Sequence, residues 1–325
     1  MKIPWHIFTF GSTAKILRGR RMDRFPRLIR IHYFLIKKLS SKDITVNGYK
    51  MTAGYGDWLN FQYTGEYEPM TTGIIKDIIK EGDTVVDVGA NIGYYTLLFS
   101  KLVGAWGTVY AFEPEPTNFS ILKKNLEMNY ASNVISVPKA VADTSGSVKL
   151  YIHETNPGGH TIMDVYDDLK GITVDCITLN EYLKGKKINF IKIDVEGAEP
   201  NVIEGAKEVF DNYTGILFEF NTDLALKNIN KYNSLFLFLI NSGYELLGID
   251  EKEKETICID AYALPNLYRN CKGRTLNIMC KRKAIRKQNQ VINRINHPRM
   301  RIPFYIWMII LSGVIVLLFY LLLGV

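Results

Sequence analysis

Short apolar runs alternate along the chain with stretches in which apolar residues recur every three or four positions. The apolar runs predict strands, and they cover residues 84–88, 108–112, 134–137, 188–193, 215–220 and 276–280. Helical spacing occurs at 92–103, at Phe119, Leu122 and Leu126, and at 202–210. This alternation predicts an α/β fold in which a doubly wound sheet carries helices on both faces and binds its ligand at the carboxyl ends of the strands.

The last apolar run is of a different kind, because residues 303–325 contain no charged residue over 23 positions. A helix of this length spans roughly 34 Å, which is enough to cross a hydrocarbon core of about 30 Å. The run therefore predicts a transmembrane helix. Basic residues crowd the preceding segment, and the positive-inside rule then places the body of the chain in the cytoplasm on a single-pass C-terminal membrane anchor.

Charge divides the chain into three blocks. Ten Lys and Arg against one Asp give residues 1–40 a net charge of +9, residues 41–260 carry −13, and residues 261–325 carry +11. The first block has its basic residues between apolar positions at helical spacing, as in a basic amphipathic segment that lies on a membrane or packs on the body. A nucleic-acid reader carries positive charge on its folded face, so we expect no nucleic-acid partner.

These boundaries predict four parts of the chain. Residues 1–40 form the basic amphipathic segment, residues 41–281 form one domain, residues 282–302 form a basic juxtamembrane linker, and residues 303–325 form the transmembrane helix. The chemistry is expected in the second part, where polar residues follow three of the apolar runs.

The first of these motifs is VVDVGANIG. Its strand ends around Asp87, and a loop with Gly89, Asn91 and Gly93 leads into a helix. Glycine lets the backbone approach a ligand closely, and a helix N-terminus offers N–H groups to an anion such as a carboxylate. Asp87 can accept a hydrogen bond from a cationic or hydroxyl-bearing ligand. The motif predicts a cofactor loop, although such loops occur in many nucleotide-binding folds.

The second motif places Glu113 after a strand, twenty residues beyond Gly93. An acidic side chain at that position hydrogen-bonds the ribose hydroxyls of an adenosine. Pro114 and Pro116 favour an extended backbone for Glu113 and Glu115, which fixes the direction of the carboxylate. The motif predicts a ribose-binding residue.

The third motif, IKIDVEGAE, delivers Lys192, Asp194, Glu196 and Glu199 at the end of a buried strand. Its carboxylates can serve as a general base, as metal ligands or as groups that orient a hydroxyl nucleophile, and Lys192 can instead make them an ion-pair cluster. The four cysteines show no CxxC pairing, which argues against a zinc site. A requirement for another divalent metal is left open.

Taken together, VDVGANIGYYT, FEPEP and IKIDVEGAE closely resemble the FkbM-type family of S-adenosylmethionine-dependent methyltransferases. The resemblance covers roughly residues 45–281 and implies a Rossmann-like doubly wound sheet of the class I methyltransferase type. It departs from the family pattern at Asn180, where an aspartate is usual.

The resemblance also implies roles for single residues. Gly89, Asn91 and Gly93 would hold the methionine half of S-adenosylmethionine, and Glu113 would hold its ribose. Ala142 with Asp143 would lie near its adenine, and Asp194 would lie near the transferred methyl group. Glu68 matches an acidic position upstream of the cofactor loop.

These observations predict an O-methyltransferase that acts on a glycan or lipid-linked saccharide at the cytoplasmic membrane face. His160, in the variable stretch before the third motif, is a candidate general base because imidazole titrates near neutral pH. Two alternatives stay open. One is a membrane-anchored protein that binds S-adenosylmethionine without catalysis, and the other is a nicotinamide-dependent oxidoreductase, which the missing GxGxxG spacing disfavours.

Overall fold

The computed structural model describes residues 43–52, 67–153, 156, 158–164, 170–210 and 214–282. The predicted segment 1–40, the linker after residue 282 and the predicted transmembrane helix 303–325 lie outside this range. Among the residues that the structure describes, no helix is long and apolar enough to cross a membrane.

The described chain begins with a hairpin and continues as alternating strands and helices. The elements are β1 (Asp43–Val46), β2 (Tyr49–Thr52), α1 (Pro69–Ile78), β3 (Thr84–Val88), α2 (Tyr94–Val103), β4 (Thr108–Phe112), α3 (Pro116–Met128), β5 (Val134–Val137), β6 (Ala140–Val141), β7 (Gly146–Tyr151) and β8 (Gly171–Ile177). They continue with α4 (Leu179–Tyr182), β9 (Phe190–Ile193), α5 (Glu199–Glu204), β10 (Gly215–Asn221), α6 (Thr222–Lys227), α7 (Ile229–Asn241), β11 (Tyr244–Asp250), β12 (Glu255–Ile259), α8 (Leu264–Asn270) and β13 (Thr275–Arg282).

Eight of these strands form the central sheet in the order β12-β11-β13-β10-β9-β3-β4-β5. Strands β10, β9, β3, β4 and β5 pair in parallel, whereas β13 is antiparallel to both β10 and β11. The chain order reverses at β3, which has β4 on one side and β9 on the other. The predicted doubly wound sheet is confirmed, and its switch point places a ligand site at the carboxyl ends of β3, β4 and β9.

Successive residues of the central strands point to opposite faces of the sheet and build two hydrophobic cores. Val86 and Phe112 belong to the core that also contains α5, α7 and α8 residues. Val85 and Val109 belong to the core formed with α1, α2 and α3. Both faces are apolar because helices cover both, as expected for parallel strands. The strand ends are therefore held rigidly between two packed layers.

The predicted helix over 202–210 is wrong in its extent, since α5 covers only Glu199–Glu204. Gly205 ends it, and a Cβ at this position would overlap the carbonyl oxygen of Ala142. The close backbone approach thus requires glycine at residue 205. The structure also contains a three-stranded sheet of order β6-β8-β7, beside the central sheet, that hydrophobic periodicity did not resolve.

Candidate functional site

An open cavity lies where the carboxyl ends of β3, β4 and β9 meet. Its lining comes from all three strand ends, from the start of β6 and from the connection between β7 and β8. The residues that define it are Gly89, Asn91, Glu113, Asn118, Lys139, Ala140, Val141, His160, Thr161 and Asp194. The three sequence motifs therefore converge on one site.

The Gly89–Gly93 loop is folded tightly against its neighbours. The N–H groups of Gly89 and Ala90 both donate to the Phe112 carbonyl, at 3.0 and 2.9 Å. Gly89 has φ +80°, and a Cβ there would overlap the Asp194 carbonyl oxygen. Asn91 and Gly93 also have positive φ, of 50° and 94°. The loop thus brings the ends of β3 and β9 into direct backbone contact, which explains the glycine at residue 89.

Gly89→Ala is expected to destabilise the protein by roughly 3 kcal/mol or more, since it combines left-handed strain with an overlap against backbone. Gly243 is the matched control, because its φ is +83° and a Cβ there meets nothing within 4 Å. Gly243→Ala should cost only the conformational strain of about 1–2 kcal/mol. Urea unfolding followed by circular dichroism measures both, and equal losses in the two variants would contradict the close approach.

Glu113 is buried at the end of β4, with 5% of its surface exposed. Its Oε2 accepts from the Asn91 N–H at 2.8 Å, and its Oε1 accepts from the Glu115 N–H at 2.9 Å. Burial raises the pKa of Glu113 to about 7, although the two backbone donors act in the opposite direction. The carboxylate is therefore fixed in the cavity wall, and its remaining lone pairs can accept from two hydroxyl groups.

Asp87 and Asp194 are joined by Lys192, which is 4% exposed. The Lys192 Nζ lies 3.0 Å from Asp194 Oδ2 and 3.9 Å from Asp87 Oδ1. Thr96 donates to Asp87 Oδ2 at 2.6 Å. Burial acts to lower the pKa of Lys192, but the two carboxylates outweigh it and raise that pKa. Asp87 is thus a buried ion-pair partner that does not line the cavity, whereas Asp194 reaches the cavity.

Glu68 precedes α1 with a left-handed φ of 47° and accepts from the Tyr95 hydroxyl. The Tyr95 ring lies under Lys192, with the Nζ 4.8 Å from the ring centroid. Burial raises the pKa of Glu68, and the Asp194 carboxylate adds to that shift. The structure brings Glu68 beside Asp194 and Lys192, although Glu68 does not line the cavity.

The loop after Asp194 owes its shape to Glu199, which is 1% exposed. The Glu199 carboxylate accepts from the N–H groups of Val195 and Gly197 and from the Tyr232 hydroxyl on α7. Glu196 lies between them with a left-handed φ of 54°. Glu199 therefore stabilises the loop from within, whereas the Glu196 side chain is partly exposed on it.

A carboxylate trio, Asp194, Glu196 and Glu219, forms beside the cavity. One oxygen of each lies within 4.8 Å of the others, which is close enough to ligate one divalent cation or to hold one hydroxyl group. All three side chains are partly exposed. Burial, followed by Asp194 and Glu196, raises the pKa of Glu219 well above its usual range. Sequence reasoning missed Glu219, and the signal for it was a single acid in the apolar run GILFEFN.

The sequence also singled out Ala142 with Asp143, His160 and Asn180, and the structure gives each a different position. Ala142 and Asp143 do not line the cavity, and Asp143 accepts from the Asn201 side chain at 2.9 Å in a neighbouring groove. His160 does line the cavity. The Asn180 side chain accepts a hydrogen bond from the Glu208 N–H at 2.9 Å. Asn180 therefore stabilises the turn after α5, which is a structural role.

Fold and site together define a domain of the Rossmann-like methyltransferase class, with a glycine loop at the switch point and an acid after the next strand. Residues 87–246 match the family model described as the methyltransferase FkbM domain. This part of the chain is therefore an FkbM methyltransferase domain.

Three curated relatives show the same similarity. Methyltransferase 1 of Beauveria bassiana is 28% identical over 167 residues, covering 43% of this chain and 67% of that protein. Hexuronic acid methyltransferase AglP of Haloferax volcanii is 25% identical over 155 residues, covering 47% and 62%. The 31-O-demethyl-FK506 methyltransferase FkbM of Streptomyces tacrolimicus is 28% identical over 162 residues, covering 40% and 62%. The matches thus span about two thirds of each relative.

Proposed function

We propose that the protein transfers a methyl group from S-adenosylmethionine to a hydroxyl oxygen of a saccharide or lipid-linked saccharide. One observation carries this proposal: Glu113, the Gly89–Gly93 loop and Asp194 line one cavity, and Asp194 belongs at the same time to the carboxylate trio. Asp194 is thus the side chain at which the candidate nucleoside site meets the candidate site for a hydroxyl acceptor.

The residues present fit S-adenosylmethionine. The loop that ends at Gly93 leads into α2, where helix N–H groups favour the carboxylate of its methionine part. Glu113 has acceptor capacity for two ribose hydroxyls. The acidic side chains beside Asp194 suit the positive charge of a sulfonium. When bound, this cofactor supplies a methyl group that is activated by its sulfonium.

The protein's own contribution is to align the acceptor hydroxyl and to receive its proton. Asp194 is held by Lys192 and is suited to orient that hydroxyl. Among the residues that the structure describes, Glu219 forms no ion pair, and burial together with the acids around it raises its pKa. We assign the hydroxyl proton to the Glu219 carboxylate. It would pass there as the acceptor oxygen bonds to the methyl carbon and the carbon–sulfur bond of the bound cofactor breaks, and its release to solvent completes the cycle.

Attachment to a membrane is part of the proposal. It rests on the uncharged run 303–325 and on the basic residues before it, which favour a single-pass C-terminal anchor with the catalytic domain in the cytoplasm. An anchored enzyme gains effective concentration toward an anchored acceptor. The relative described as a hexuronic acid methyltransferase supports a saccharide as the acceptor class.

Transfer of label tests this function. The full chain in detergent is incubated with methyl-labelled S-adenosylmethionine and with separate lipid, glycan, soluble-sugar and protein extracts, and the labelled products are identified by mass spectrometry. Label is expected in the lipid-linked or free glycan fraction, with heat-treated protein as the control. Label in soluble sugars with none in membrane extract would contradict the membrane acceptor, and label in protein alone would contradict the acceptor class.

A further inference from the structure

The connection between β7 and β8 supplies one wall of the cavity. Gly158, His160 and Thr161 line the cavity together with Glu113 at the end of β4. This wall is fixed to β7, because Tyr151 and Thr161 exchange two backbone hydrogen bonds of 2.8 and 3.2 Å. Thr161 is only 1% exposed. His160 is therefore presented to the cavity from a firmly attached backbone.

The hydrogen bonds of His160 decide which ring nitrogen carries the proton. Its Nδ1 accepts from the backbone N–H of His153 at 3.1 Å. Burial lowers the pKa of His160, against the opposite effect of Glu115, so the ring is neutral near pH 7. A neutral imidazole with an accepting Nδ1 must carry its hydrogen on Nε2. Among the described residues nothing bonds to Nε2, which leaves one N–H donor for a ligand.

We propose that His160 binds the adenosine part of the cofactor by donating its Nε2–H to a ribose oxygen or a purine nitrogen. The inference rests on the proposed function. The surroundings of His160 favour contact with the adenosine part and not with the reacting methyl group. The acid that acts on its pKa is Glu115, two residues beyond Glu113, and no member of the carboxylate trio does so. A general base needs an unprotonated nitrogen facing its substrate, and here that nitrogen is already occupied by His153.

Two substitutions separate the ring nitrogens. Glutamine can place an N–H near the position of Nε2, whereas asparagine places its polar atoms near Nδ1. The affinity of the full chain for S-adenosylmethionine and for S-adenosylhomocysteine is measured by calorimetry. His160→Ala and His160→Asn should each lower this affinity by roughly 3- to 30-fold. The loss should be equal for both ligands, because they share the adenosine. His160→Gln should stay within about threefold of the wild type.

A second readout does not depend on any variant. The chain has five histidines, and nitrogen-15 spectra of histidine-labelled protein report the tautomer of each. The inference predicts an Nε2–H tautomer for His160 and a shift of that nitrogen when S-adenosylhomocysteine is added.

Three results would overturn the inference: unchanged affinity in His160→Ala, an Nδ1–H tautomer, or lost turnover with intact affinity. The last of these would establish the general base predicted from sequence. Wild-type protein that binds neither ligand would instead refute the proposed function, and with it this role for His160.

Discussion

Glu113→Ala is expected to lower the affinity for S-adenosylmethionine by at least about 100-fold, because two hydrogen bonds to a charged carboxylate are lost together. The substitution also leaves the N–H groups of Asn91 and Glu115 without their acceptor, which loosens the wall of the cavity. Titration calorimetry measures the loss. Glu127→Ala, an exposed glutamate near the end of α3, is the control and should bind like the wild type. Equal affinities of Glu113→Ala and the wild type would remove Glu113 from the cofactor site.

The same carboxylate should make cofactor affinity depend on pH. Burial raises the pKa of Glu113 in the free protein to about 7. Below pH 7 the carboxyl group is therefore mostly protonated, and it must lose this proton before both oxygens can accept hydroxyls. Affinity should therefore fall about tenfold for each pH unit below 7 and level off above it. The Glu113→Gln variant should bind weakly and lack this slope, and a similar slope in both would assign the titration to another group.

Glu219→Gln is expected to reduce methyl transfer by roughly 100- to 10,000-fold while cofactor affinity changes little. Burial disfavours the charge of Glu219, and its acidic neighbours Asp194 and Glu196 add to this effect. Removing that charge relieves repulsion, so the free energy of unfolding should stay the same or rise. A side chain whose loss stabilises the fold and abolishes turnover is retained for function.

The measurements are label transfer to the acceptor fraction, calorimetry, and urea unfolding on the same preparations, with Glu127→Gln as the control. Turnover that persists in Glu219→Gln would contradict its role as proton acceptor. Chelation distinguishes the two uses of the carboxylate trio. If Glu219 acts as a base, EDTA leaves wild-type turnover unchanged, whereas a metal role requires loss with EDTA and recovery with added magnesium.

The parts of the site that the sequence predicted are those that follow parallel strands directly. Asp87, Glu113 and Asp194 each end a short apolar run, and such ends meet at one edge of a doubly wound sheet. The structure places all three there, joined through Lys192 or through the Gly89–Gly93 loop. Local pattern was sufficient because strand order and strand direction follow from the βα alternation.

Other features depend on tertiary contacts that no local pattern contains. Glu219 is an isolated acid in an apolar strand, and its relation to Asp194 follows only from the pairing of β10 with β9. The need for glycine at residue 205, just after α5, comes from its contact with the Ala142 backbone. The tautomer of His160 is set by the His153 N–H across a loop.

A crystal structure of the full chain with S-adenosylhomocysteine would show how the cofactor lies in the cavity. We expect ribose hydroxyls on the Glu113 carboxylate, the amino-acid part at the Gly89–Gly93 loop, and the sulfur on the Asp194 side of the cavity, facing Glu219. A ligand bound outside this cavity, or one with its adenine beside Asp194 and its sulfur away from the carboxylate trio, would contradict this expectation.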